Sequence, residues 1–174
     1  MKSTRSNRVP RCSGRAESGN MFIEMSLVMV VVMFSILGIF ELGRAMWTYT
    51  TLASATEKAA RFAIVHGARC ADASTSCPVG VGTIAITLLQ AGIGLDESQL
   101  QVTMNAGDSS VACAPASTCL NNGSVWPPSP DNAVGAPVTI QTQYPFQFAL
   151  AELWPGQPLH PWTFTAKSTE VIQF

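Results

Sequence analysis

Gly19-Asn20-Met21-Phe22-Ile23-Glu24 leads into Met25-Ser26-Leu27-Val28-Met29-Val30-Val31-Val32-Met33-Phe34-Ser35-Ile36-Leu37-Gly38-Ile39-Phe40, sixteen residues without a charge. From Asn20 to Phe40 an α-helix would run about 31 Å at 1.5 Å per residue, against a hydrocarbon core of about 30 Å. The stretch therefore reads as a membrane-spanning helix with one carboxylate, Glu24, near its start. A charge at mid-bilayer costs about 2.5–3.5 kcal/mol on insertion scales, so a lone glutamate there marks a functional position. A plain, uncleaved anchor with one interfacial glutamate fits the same physics.

Outward from this stretch the charge changes sign. Residues 1–19 carry Lys2, Arg5, Arg8, Arg11 and Arg15 against Glu17, whereas five basic residues face ten acidic ones in the rest. The overall charge of -1 thus hides a basic leader and an acidic remainder. The leader has no aromatic residue and abuts the apolar run, which argues against nucleic acid as a partner. Positive-inside logic places it in the cytoplasm, with the C-terminal domain across the membrane. An ordinary secretory signal is shorter and closes on a small-x-small site, which nothing here supplies.

No proline occurs from Asn20 to His66, so the helix is expected to continue past the apolar run and to stop at Gly67. Four segments follow: a leader, 1–19; a transmembrane helix, 20–41; its extracytoplasmic continuation, 42–66; and a small disulfide-bearing α+β domain, 67–174. In the continuation Leu42, Met46, Tyr49, Ala53, Thr56, Ala60 and Ala63 recur at three- and four-residue steps as one narrow face. Glu57 and Arg61, one turn apart, are placed to pair. Val79–Ile93 reads as a short amphipathic helix. Gln99–Met104, Pro137–Tyr144 and Trp162–Ile172 alternate as strands. Asn105–Gly135 reads as a long loop. The expected fold is a long helix packed on a small antiparallel sheet, the helix covering the sheet's apolar face.

Cys70, Cys77, Cys113 and Cys119 all fall on the expected outside, where disulfides are the default. Four cysteines allow three pairings. Spacing favours two local loops, Cys70–Cys77 and Cys113–Cys119, without proving them. Zinc fits poorly, because the gaps exceed those of paired ligands and neither His66 nor His160 completes a set. No phosphate-cradling glycine loop, nucleophile elbow or His-Glu-x-x-His appears, so no catalytic residue, metal or cofactor is expected. Trp47 suits a membrane-interface belt. Trp126, Trp154 and Trp162 are read as caps on the sheet.

Gly19 followed by Glu24 five residues on resembles the start of type IV pilins. Glu24-Met25-Ser26-Leu27-Val28, Leu37-Gly38-Ile39-Phe40-Glu41-Leu42-Gly43-Arg44-Ala45-Met46-Trp47 and Ala53-Ser54-Ala55-Thr56-Glu57-Lys58-Ala59-Ala60-Arg61-Phe62-Ala63 together resemble the TadE-like family, the pilin-like proteins of tight-adherence (Tad/Flp) systems. The resemblance covers about residues 19–66. It implies an inner-membrane protein cut between Gly19 and Asn20 by a prepilin peptidase. Glu24 would then neutralise a new N-terminal amine, its own or a neighbour's, and set the axial register of packed helices. Glu41, Gly43, Arg44 and Arg61 become candidates for contacts between subunits. The implied partners are other Tad pilins or pseudopilins, the inner-membrane assembly platform and membrane lipid. Met25 and the large outer domain depart from short major pilins and favour a minor pilin or pseudopilin. The alternative is an uncleaved, single-span binding or adhesion module.

Overall fold

The computed structural model describes residues 17–66, 79–149 and 161–173. Cys70, Cys77, Trp154 and His160 lie outside the described residues. The elements are α1 (Glu17–Ile64), α2 (Val81–Ala91), β1 (Gln101–Ala106), β2 (Ser109–Cys113), a 3-10 turn (Ala116–Cys119), β3 (Pro137–Phe146) and β4 (Trp162–Val171). The fold is α+β, as the sequence leads one to expect. The chain divides into two units at Phe40–Glu41.

The first unit contributes the apolar part of α1. Every large apolar side chain from Met21 to Leu37 is exposed, and none of the most apolar window is buried. A helix apolar on all sides and exposed among the described residues suits lipid contact or a helical bundle. Ser26 and Ser35 return their hydroxyl protons to the carbonyls of Ile23 and Val31, at 2.8 Å each, so neither leaves a donor unpaired in an apolar medium.

The second unit is built on a four-stranded antiparallel sheet of order β2-β1-β3-β4. Register pairs Val102 with Thr142, Met104 with Ile140, Ala106 with Val138, and Thr142 with Ala166. All seven side chains are buried, and they form the apolar rows of one sheet face. Leu52, Ala55, Ala59, Ala60 and Ala63 of α1 belong to the same core, together with Val81, Ile84 and Leu88 of α2. Alanines let the helix approach the sheet closely. One hydroxyl pair crosses that contact, Thr56 Oγ1 to Thr142 Oγ1 at 2.6 Å, while Thr56 also donates to the Leu52 carbonyl at 2.7 Å.

Three expectations need correction. The buried face of the helical continuation runs through Thr48, Leu52, Ala55, Thr56, Ala59, Ala60 and Ala63. Leu42, Met46 and Tyr49 remain 66%, 62% and 46% exposed. The sheet selects small side chains, so the face is offset from the one that large apolar residues suggested. The sheet has four strands, not three. Finally, the start of the region read as a loop, 105–135, holds the end of β1, a Gly107-Asp108 turn and β2. Gly107 sits at φ +54 in that turn, a backbone that favours glycine.

The rest of 105–135 is tied down. A Cys113–Cys119 disulfide links β2 to the 3-10 turn. Residues 120–126 cap α2 with backbone groups: Val81 and Gly82 donate to the carbonyls of Ser124 and Asn122, both at 2.9 Å. These partners satisfy N–H groups that the first turn of a helix leaves free. Gly82 is required there, because a Cβ would lie 2.5 Å from the Leu120 carbonyl. Trp126 packs in the core at 1% exposure, and Trp162 starts β4 at 64% exposure.

Candidate functional site

The residues singled out from sequence fall into two groups. Gly19 and Asn20 lie in the first turns of α1, and the Asn20 and Glu24 side chains are exposed. Glu24 has no ionic partner among the described residues. It stands as the single carboxylate of the apolar segment, open to a partner from outside the chain.

The second group begins where the apolar run ends. Arg44 donates through Nη2 to Glu41 Oε2 at 3.1 Å, and through the same nitrogen to the carbonyl of Gln147. Its guanidinium lies over the Phe146 ring, 4.8 Å from the centroid. Glu41 Oε1 accepts from the backbone N–H of Ala149 at 3.3 Å. Two charged side chains on α1 thus grip the segment leaving β3. The Glu41 side chain is 13% exposed and that of Arg44 50%. With Arg44 half exposed, the ion pair itself is worth about 0–1 kcal/mol, and the grip comes from the added carbonyl, amide and ring contacts. Phe146 is itself buried and meets Phe148 and Phe164 at centroid distances of 5.1 and 5.3 Å. Sequence reasoning placed Glu41 and Arg44 at this boundary but missed their partners, which lie about a hundred residues further on.

Gly43 and Arg61 are not drawn into the cluster. Gly43 has nothing within 4 Å of the place a Cβ would occupy. Arg61 pairs with Glu57 at 2.5 Å, both well exposed, a contact of a few tenths of a kcal/mol. The helix face carrying Leu42, Gly43, Met46 and Arg61 is open. His66 closes the helix through Nδ1, 2.7 Å from the Phe62 carbonyl, in keeping with a C-terminal role.

Beside the Arg44 cluster lies a groove of about 290 Å³, lined by Arg44, Trp47, Gln99, Tyr144, Phe146 and Gln147 among others. Among the described residues, no carboxylate lines it. Its far wall is the turn after α2, where Asp96 accepts from the Ser98 hydroxyl and amide at 2.7 and 2.9 Å. The Ser98 hydroxyl and amide hold the Asp96 carboxyl below its ordinary value of 3.8. The backbone N–H of Asp96 donates to the Tyr144 hydroxyl at 3.3 Å, joining that turn to β3.

No curated protein and no solved structure matches the chain. The family model described as TadE-like protein matches residues 19–61, which include Gly19, Glu24, the Glu41 and Arg44 pair and Arg61. This match covers the apolar helix and the first part of the domain-covering helix, and over that stretch the chain is similar to TadE-like proteins.

Proposed function

We propose that the chain is a minor pilin or pseudopilin of a Tad/Flp pilus, cut between Gly19 and Asn20 by a prepilin peptidase. One observation carries this reading: the family match begins at Gly19 and spans an apolar helix whose only charge between Asn20 and Phe40 is the exposed Glu24. Cleavage creates an α-amino group within five residues of that carboxylate. A buried carboxylate and a buried amine are each costly alone, and pairing offsets part of the cost. A pair formed between neighbouring subunits fixes the axial register of their helices. The open face with Gly43 and Arg61 is where a neighbouring helix packs. Glu41 and Arg44 act one step back, by holding that helix to its own domain. The protein works through packing, and no catalytic step is assigned to it.

The test is a Glu24→Val chain expressed at normal level in its native host. Cleavage stays intact while filament assembly and the adhesion that depends on it are lost. Normal filaments from that strain would contradict the proposal and favour a permanently anchored binding module.

A further inference from the structure

We infer that the groove beside Arg44 binds the phosphodiester headgroup of a membrane lipid. The inference rests on reading residues 20–40 as a membrane span.

Sequence position gives the depth. Arg44 and Trp47 follow the last residue of the apolar run by four and seven positions. That is about 6 and 10 Å along a helix. A headgroup layer occupies about 5–7 Å on each side of the hydrocarbon core. The groove's cation, about 6 Å on, therefore stands at the level of the phosphates, and its indole, about 10 Å on, stands just beyond that layer.

The chemistry of the lining selects the same ligand. A guanidinium carries five N–H donors. Arg44 engages Nη2 with Glu41 and the Gln147 carbonyl, and the Nε and Nη1 hydrogens have no partner among the described residues. The contact with the Phe146 ring restrains the group, so less freedom is lost when a ligand engages it. Gln147 adds a neutral amide to the wall, the Gln99 amide nitrogen donates to Asp96 Oδ2 at 3.3 Å, and Trp47 and Tyr144 add aromatic surface for the glycerol carbons. Glu41 balances part of the Arg44 charge from the opposite side, which suits a ligand delivered at high local concentration by a membrane. A free anion from bulk water lacks that advantage.

Native mass spectrometry tests this on the full chain, released from nanodiscs that contain dioleoyl phosphatidylglycerol or dioleoylglycerol. The expected result is retention of phosphatidylglycerol and not of the headgroup-free lipid. One basic side chain near a charged surface is worth about a fivefold change, so Arg44→Gln lowers retention about fivefold. Arg44→Gln also loosens the cluster, so Gln147→Glu serves as the second variant. It leaves the backbone carbonyl in place, adds a negative charge to the groove wall and lowers retention by a similar factor. Lys167→Gln, on β4, changes nothing. Unchanged retention in Gln147→Glu, or equal retention of dioleoylglycerol, overturns the proposal. Displacement by millimolar inorganic phosphate overturns the lipid as its source. Carbonate extraction separates the two levels: release of the chain overturns the span and the groove together. A chain that stays in the membrane with unaltered lipid retention overturns the groove alone.

Discussion

Thr56 and Thr142 place two hydroxyls between α1 and β3, and the direction of their protons predicts unequal consequences on substitution. Thr56 has one proton and gives it to the Leu52 carbonyl, so Thr142 must donate to Thr56. Thr56→Val leaves the Thr142 hydroxyl buried without an acceptor, which costs about 1–3 kcal/mol. Thr142→Val leaves Thr56 satisfied within its own helix and costs about 1 kcal/mol or less. The double variant lies near Thr142→Val, because no orphan remains. Urea unfolding of the full chain in micelles measures all three, and equal costs for the single variants contradict the assigned protons. None of this was legible in the sequence, which shows two ordinary threonines. The same holds for Glu41 and Arg44. Their charge at the end of an apolar run marks them, but the carbonyl, amide and ring they hold come from a segment brought near only by the completed sheet.

At the scale of elements, periodicity was informative where side chains are large and misleading where they are small. β1, β3 and β4 alternate strongly and were legible to within about two residues, the usual uncertainty of element ends. β2 was not. Ser109, Ser110 and Ala112 have weak strand preference, and β2 lies at the edge of the sheet, where pairing with β1 supplies its order. The available signal was the Gly107-Asp108 pair between Met104 and Val111. The buried face of α1 went astray for a related reason: closeness to the sheet favours Ala55, Ala59 and Ala63 over Leu42 and Met46. The Cys113–Cys119 bridge was legible from spacing and anchors β2 to the turn that follows. A loop this short contributes about 2 kcal/mol by the chain-entropy relation. Cys113→Ser with Cys119→Ser is expected to lower unfolding stability by about that amount, with the transition still cooperative. A loss of cooperativity would instead make the bridge a condition for folding β2 at all.

For the whole molecule, the fold class follows from one contrast along α1. Its first half is apolar on every side and exposed; its second half is slim and amphipathic and carries a sheet. The sequence showed that contrast at Glu41. Strand order was beyond it, because order depends on which faces meet and not on local pattern. The family match ends at Arg61, so the sheet and the disulfide lie outside it, while the groove draws Arg44 and Trp47 from within it. In the proposed assembly, the shared helix handles processing and register, and the outer domain sets the chain apart from a bulk filament subunit.

The most direct measurement is the N-terminal sequence, by mass spectrometry, of the protein recovered from native membranes with an active prepilin peptidase. The account predicts a mature chain that starts at Asn20, with Glu24 as its fifth residue. A chain that starts at Met1 or Lys2 would contradict it and leave a single-span anchor with a disulfide-bearing domain.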